Sequence, residues 1–255
     1  MSRDTRVVQF PRQSGQCQYC DRAGICLGLG LSRSEVKELL NISGIPKLLK
    51  KGQELFNEGS AFEHLYAVRS GAFKTHKITA DGEEQIIDFH LPGDLMGFNA
   101  IARGHYTCHA VALDTASVCA IRFEDLASLC AGSIQIQQTV FKRISALMGR
   151  EEDFLVTIGT KSATQRLASF LVMLSNYYIG RGYSPTSFTL PMSRTDIASY
   201  LSLAVETVSR TLTRLQHEEI ISVTRNSVEI ENLGHLYALA GYRFNGSEPV
   251  ADMLN

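Results

Sequence analysis

The 255-residue chain has no run apolar enough to cross a membrane. Its longest stretch without Asp, Glu, Lys or Arg is Leu126 to Phe141. That stretch carries Ser133, Gln135, Gln137 and Gln138, and falls short of the roughly 20 apolar residues a spanning helix needs. Met1 to Arg12 contains Arg3, Arg6 and Arg12 but no apolar core of the secretory-leader kind. A cytoplasmic address with no membrane partner is therefore expected. Net charge is missing too: 25 Lys and Arg against 26 Asp and Glu leave −1. That excludes a protein basic all over, but not a local nucleic-acid patch. No repeat or low-complexity segment is present. No Ser/His/Asp arrangement, phosphate-binding loop or paired-carboxylate motif stands out, and the seven histidines are scattered. An enzyme is not expected. With 44% hydrophobic and 20% charged residues, the chain has the composition of a globular protein and the length for one or two domains.

The pattern changes along the chain. Residues 1–28 read as an irregular arm in which Gly15, Gly24 and Gly28 accompany Cys17, Cys20 and Cys26. A helix is expected from Ser32, where Ser32 and Glu35 have capping-box spacing and Val36, Leu39 and Leu40 supply an apolar face. From Lys51 to Arg122 short β-type runs alternate with turn residues. Leu65 to Val68 precedes Gly71, Phe73 to Ile78 precedes Asp81-Gly82, and Gln85 to Phe89 precedes Pro92-Gly93-Asp94. Strands at such spacing predict an antiparallel sandwich or barrel, and Asp81-Gly82 is the strongest hairpin signal.

From Phe123 the period becomes helical. Phe141, Ile144, Met148, Glu151, Leu155 and Ile158 are spaced 3, 4, 3, 4, 3, the a/d spacing of a two-helix seam. An ordinary helix packed on its own domain is the plainer alternative; a long helix joining a β domain to a helical one favours a homodimer. Thr164 to Tyr178 predicts a further helix with Leu167, Phe170, Leu171 and Leu174 on one face.

Near the C-terminus two helices are expected in helix-turn-helix spacing. The first starts at Ser193, with Asp196 placed to complete its cap. The second spans Ala204 to His217, with Val205, Val208, Leu212 and Leu215 facing inward. Its other face carries Glu206, Ser209, Arg210, Thr213 and Arg214. Arginine can donate two hydrogen bonds to guanine, glutamate can accept from cytosine, and serine can serve either edge or a phosphate. A merely solvated helix face is the alternative. Ile221 to Ile230 reads as a two-stranded wing turning at Arg225, Asn226 and Ser227. Residues 161–230 hold seven Lys and Arg against five Asp and Glu. Affinity for double-stranded DNA must then come from a dimer and a few placed contacts rather than from bulk charge.

Cys17, Cys20 and Cys26 form C-x2-C-x5-C, close enough for three thiolates to share one metal or cluster, with Cys108, Cys119 and Cys130 as distant candidates for a fourth. Soft thiolates suit zinc or an iron–sulfur cluster, and spacing does not choose between them. In a reducing compartment disulfides are the lesser alternative. Cys108 and Cys130 read as small buried hydrophobes.

The cysteine triplet, together with LYAVRSGA (Leu65 to Ala72), GEEQI (Gly82 to Ile86), FHLPGD (Phe89 to Asp94), SVC (Ser117 to Cys119) and VETVSR (Val205 to Arg210), carries a resemblance. From about Cys17 to Gly241 the chain resembles the CRP/FNR superfamily, and within it the oxygen-sensing FNR/Anr regulators of proteobacteria. The resemblance implies an α+β architecture in five parts. These are a cysteine-rich cluster-binding arm (1–28), a jelly-roll β-barrel of the cyclic-nucleotide-binding kind (29–131), a dimerisation helix (132–159), a winged helix-turn-helix (160–241) and a tail (242–255). It also implies a [4Fe–4S] cluster held by Cys17, Cys20, Cys26 and Cys119, because SVCAIRFE (Ser117 to Glu124) matches the family's run in which the fourth ligand precedes a Phe-Glu pair. In that family oxygen converts the cluster to [2Fe–2S] and then destroys it, and the dimeric, DNA-binding form is lost. The same resemblance implies TTGAT-type half-sites read by Glu206, Ser209 and Arg210, and an acid on the seam at Glu151. Asp81 to Glu83, and Ser70 with Thr115, resemble regions that contact RNA polymerase. Cyclic nucleotide is not an expected ligand, because Gly93 and Asp94 to Tyr106, Thr107 and Cys108 contain no Arg-Ser/Thr pair. Ser202 stands where close relatives usually carry glycine, so a left-handed turn is expected there at some cost. A zinc-stabilised regulator with the same thiolates, or a small-ligand-responsive one, is the alternative.

Overall fold

The computed structural model describes residues 33–242. Helix α1 (Arg33–Ile42) leads into eight strands: β1 (Lys47–Leu49), β2 (Glu54–Phe56), β3 (His64–Ser70), β4 (Phe73–Ile78), β5 (Glu84–His90), β6 (Leu95–Met96), β7 (His109–Ala112) and β8 (Ala116–Arg122). They form two four-stranded antiparallel sheets, ordered β1-β8-β3-β6 and β2-β7-β4-β5, as a jelly roll requires. The β4–β5 hairpin closes at the expected place: Gly82 adopts φ +82° and the Thr79 amide donates to the Glu83 carbonyl. At Gly71, between β3 and β4, φ is +71° and a Cβ would lie 2.6 Å from Ala116 Cα, so only glycine fits this turn.

Period-two alternation gives β8 two apolar faces. Val118 points into the sandwich with Leu49, Val68, Phe73 and Met96. Cys119 points to the outer face with Leu65, Ala67, Leu95 and Ile121, beneath Leu39 of α1. Helix α2 (Phe123–Gly132) and the long helix α3 (Ile134–Thr160) cover that outer face through Leu126, Ile136 and Val140. Ser133 breaks α2 from α3 and caps the latter, accepting from the Ile136 amide, while its hydroxyl donates to Glu35 of α1. Ser32, the expected cap of α1, lies outside the described residues.

The C-terminal part holds α4 (Ala163–Ile179), β9 (Ser187–Thr189), α5 (Arg194–Leu201), α6 (Val205–His217), β10 (Ile221–Thr224), β11 (Ser227–Ile230) and α7 (Leu233–Leu239). Capping boxes start α4 (Ser162 with Gln165) and α5 (Ser193 with Asp196). Its core, built on Leu167, Leu171, Ile197, Leu201, Val208 and Leu212, runs on without interruption into Ile86, Phe89 and Leu91 of the β domain. The wing has three strands rather than two, ordered β10-β11-β9, because Phe188 is buried against Val228. No helix among the described residues is long and apolar enough to cross a membrane.

Candidate functional site

Among the described residues no three His, Cys, Asp or Glu side chains converge to hold a metal. The proposed ligands Cys17, Cys20 and Cys26 lie outside the described residues. Cys119, the fourth, is 8% exposed on β8, in an apolar pocket whose walls include Leu39 of α1 and Ile136 and Val140 of α3. Cys26 precedes Arg33, the first residue of α1, by seven positions. An extended chain of that length reaches about 25 Å. The donor set of four soft thiolates, one of them seated in an apolar wall, fits an iron–sulfur cluster or zinc. Cys108 lies in a different cluster: its thiol is buried inside the sandwich, where burial pushes its pKa up against the opposing Asn99 hydrogen bond. Cys130 on α2 packs against the same outer cluster as Cys119, a proximity the sequence does not reveal, and burial raises its pKa as well.

Helix α3 presents a second site. Ile134, Phe141, Met148 and Leu155, one heptad apart, are 58%, 61%, 57% and 71% exposed. Four large apolar side chains in line along a helix of 27 residues are an unpartnered a-type stripe. Glu151 is exposed between Met148 and Leu155, and Ile158 is half-buried. Ile144 departs from the seam pattern: it is partly packed against the outer cluster that holds Cys119, because α3 must also cover the sheet.

The third site is the α5–α6 pair. Ser202 closes α5 at φ 52°, ψ 52°, the left-handed turn expected there. Arg166 of α4 donates to the Leu201 and Ser202 carbonyls at 3.2 and 3.5 Å, bracing the turn. Val208, Leu212 and Leu215 bury one face of α6. Val205 does not face inward as expected but is 36% exposed, because it stands at the first helical position, ahead of the turn that packs on α5. Glu206 and Arg210 are exposed and Ser209 is half-exposed on the opposite face. Arg194 at the start of α5 donates to Ser209 Oγ at 3.4 Å, bringing a second guanidinium onto this face. Its signal in the sequence is weak, a lone arginine directly after a helix cap. Arg214 is committed locally, to Thr164 and Glu218. Arg225 is exposed at the wing turn with φ 54°.

The α5–α6 pair is clamped to the β domain. Lys74 Nζ lies 2.5 Å from Glu84 Oε1 and 2.9 Å from Asp196 Oδ1, tying β4 and β5 to α5. Burial alone would raise the Asp196 carboxyl, but hydrogen bonds from Ser193 and Lys74 outweigh it and hold its pKa below the ordinary range. The edge strand β5 would leave backbone groups unpaired. Ser199 stands in for a neighbouring strand, its hydroxyl accepting from the Ile86 amide and donating to the Glu84 carbonyl. On the other side Arg181 donates to Asp94 at 3.2 Å and to the Pro92 carbonyl at 2.8 Å, and the Tyr177 hydroxyl donates to Pro92 as well.

Ser70 and Thr115 are not equivalent. The Ser70 hydroxyl is bonded to Ser117 at 2.7 Å, whereas Thr115 and the turn at 81–83 are exposed.

Two family models match the chain: a cyclic nucleotide-binding domain over residues 46–133 and a Crp-like helix-turn-helix domain over residues 165–239. The fumarate and nitrate reduction regulatory protein of Escherichia coli K12 is 39% identical over 245 residues, which is 95% of this chain and 98% of that protein. Its namesake in Salmonella typhimurium is similar to the same extent. The solved structure of FixK2 from Bradyrhizobium japonicum superposes with a TM-score of 0.70 at 28% identity, covering 81% of this chain and 100% of that one. A CRP-family transcriptional regulator from Thermus thermophilus shares the fold, with a TM-score of 0.62 at 22% identity, covering 77% and 97%. These relatives are regulators, not enzymes.

Proposed function

The chain belongs to the CRP/FNR superfamily of transcription regulators, in its FNR group, and from that premise we propose that it is an oxygen-responsive DNA-binding regulator. In this reading a [4Fe–4S] cluster held by Cys17, Cys20, Cys26 and Cys119 favours a homodimer that binds palindromic TTGAT-type sites in the cytoplasm. The observation that carries it is the seat of Cys119. That side chain shares one apolar cluster with Ile136, Val140 and Ile144 of α3, the helix that carries the exposed stripe.

When bound, the cluster supplies an oxygen-labile cross-link between the arm and β8. The rest is done by the chain's own residues. Cys119 is buried with Leu39, Ile136 and Val140, so a change at its thiolate would alter the packing beneath the first turns of α3. Rigid packing there presents Phe141, Met148 and Leu155 in register to a second copy. Glu151 opposes the pairing. Two seam carboxylates brought together repel and lose hydration, on the order of several kcal/mol if both stay charged and dry. A balance set by these opposing effects is near level, so a modest packing change can tip it.

In the dimer each α6 enters a major groove, with Arg210 and Arg194 supplying guanidinium donors and Glu206 an acceptor. In this reading RNA polymerase contacts the turn at 81–83 and Thr115, both of which are exposed. Cyclic nucleotide has no role in this reading.

The test is anaerobic purification of the full chain, followed by its absorption spectrum and iron and sulfide analysis. The expected result is a brown protein with about four iron and four sulfide per chain. Cys119→Ala should lose the colour, while Cys108→Ala and Cys130→Ala keep it. A colourless protein holding zinc on the same thiolates would replace the oxygen-sensing reading with a structural one. A cluster that survives the loss of Cys119, or that is lost with Cys130, would overturn the ligand assignment.

A further inference from the structure

Helix α3 ends at Thr160, and Lys161 and Ser162 join it to α4, both with extended backbone. Beside this joint Phe154 of α3 stacks on Tyr200 of α5, ring centroids 4.4 Å apart. An apolar contact of this kind sets a distance but holds an angle weakly, because it is not directional. Directional bonds come from two cations. The Lys161 ammonium donates to Ser169 Oγ and to the Ala240 carbonyl, each at 2.8 Å, and stands 4.2 Å from the Tyr242 ring centroid. Those partners hold the joint to α4 and to the end of α7. Arg166 of α4 reaches the other way. Its Nε donates to the Lys161 carbonyl at 3.0 Å, and its Nη1 to the Leu201 and Ser202 carbonyls at 3.2 and 3.5 Å. One half-buried guanidinium therefore caps the C-terminal ends of α3 and α5 together. Carbonyls at a helix end lack partners within the helix, and the dipole there favours a cation. The planar fork fixes direction as well as distance. Leu203 and Ala204 alone separate Ser202 from α6, so whatever holds the α5–α6 turn aims α6.

We propose that Arg166 is a positioning residue for DNA binding. By tying the end of the dimer helix to the α5–α6 turn, it fixes the separation of the two α6 helices and so the half-site spacing that the dimer accepts. This rests on the homodimer proposed above and not on its cluster. Two-fold symmetry applies any change of angle at the joint twice, so the separation is sensitive to it. One base pair added between two half-sites moves them apart by about 3.4 Å and turns one against the other by about 35°. A rigidly held pair of α6 helices rejects that displacement. A pair on loosened joints follows it, and loses affinity at the best spacing because it is less preorganised.

The test uses the full chain under anaerobic conditions, with duplexes carrying two inverted TTGAT half-sites whose separation is varied one base pair at a time. Fluorescence anisotropy at fixed salt gives the affinity at each spacing, and sedimentation equilibrium gives the dimer constant. The unsubstituted chain prefers the best spacing over its neighbours by about tenfold or more. Arg166→Met weakens binding at the best spacing and reduces that preference by about fivefold or more, with the dimer constant unchanged. Arg166→Lys keeps the charge at the helix ends but has no fork to span them. It retains the thermal stability of the unsubstituted chain and relaxes the preference in the same way, which separates bridging from charge and from loss of fold. Affinity lost equally at every spacing, as a merely less stable domain would give, would overturn the proposal. So would a preference that survives both variants, or a dimer constant weakened enough to account for the loss. These results strike this proposal alone. An unsubstituted chain that binds none of the duplexes, or all of them equally, would overturn it together with the homodimer reading.

Discussion

Replacing Leu155 with alanine probes the stripe on α3 where it is most open. Leu155 is 71% exposed. Fully burying a leucine side chain contributes about 1.5–3 kcal/mol, so covering the exposed part against a second copy contributes about 1–2 kcal/mol per chain. Two-fold symmetry places the residue in the interface twice, so Leu155→Ala should weaken the dimer by about 2–4 kcal/mol. That is roughly a thirty- to thousand-fold rise in the dissociation constant. Alanine is at least as good a helix former as leucine, so α3 itself is not weakened. Sedimentation equilibrium under anaerobic conditions, across a hundredfold range of protein concentration, measures the constant directly. Lys142→Ala, exposed on the same helix but off the stripe, is the control and should leave it unchanged. If Leu155→Ala associates as tightly as the unsubstituted chain, or if Lys142→Ala weakens it equally, the stripe is not the dimer interface.

Glu151→Ala removes the seam carboxylate and should yield dimers in air, by light scattering; a variant that stays monomeric without the cluster would refute the opposing role of Glu151. Arg210→Ala should cost about 1–3 kcal/mol at one guanine and relax specificity there, by fluorescence anisotropy at fixed salt. A loss that is uniform across sequences would make Arg210 a phosphate contact instead. The β domain should lose stability as pH falls through about 6.5, the ordinary histidine value. Burial depresses the His76 pKa, with His109 on β7 and Lys74 on β4 adding to the shift and Glu84 on β5 and Glu54 on β2 opposing it. A histidine held neutral in the fold takes up its proton first in the unfolded chain, so stability is present above the unfolded pKa and declines between it and the folded one. His76→Gln should flatten that part of the denaturation profile, and an unchanged slope would place the titration elsewhere.

Local rules reached far into this molecule because its turns and caps are local devices. Gly82 and Gly71 sit at positive φ because the chain reverses there, and Ser193 with Asp196 starts α5 because the side chains match the orphan amides of a first turn. Ser202 took the left-handed turn expected of it, closing α5 with its amide on the Ala198 and Ser199 carbonyls. The same rules missed β9. A three-residue strand has no periodicity to detect, and Phe188 is buried by groups distant in sequence, paired with Val228 across the sheet and stacked on Tyr178 of α4. They misplaced Val205 because helical period says which residues share a face, not where a partner helix ends.

The amino-acid order alone determined the alternation that turns Cys119 to the outer face of β8 and the heptad that lines up Phe141, Met148 and Leu155. Both are one-dimensional periods, fixed once the strand and the helix form. Tertiary structure decided which of these periods is left uncovered. It packed Ile144 against the Cys119 cluster while leaving Leu155 open, and it brought Cys130 beside that cluster. It set Arg194 beside Ser209, clamped Asp196 to Lys74, and brought the Leu201 and Ser202 carbonyls to Arg166. These outcomes depend on which surfaces meet across separations of up to 122 residues, as Lys74 and Asp196 do, and no local period encodes that.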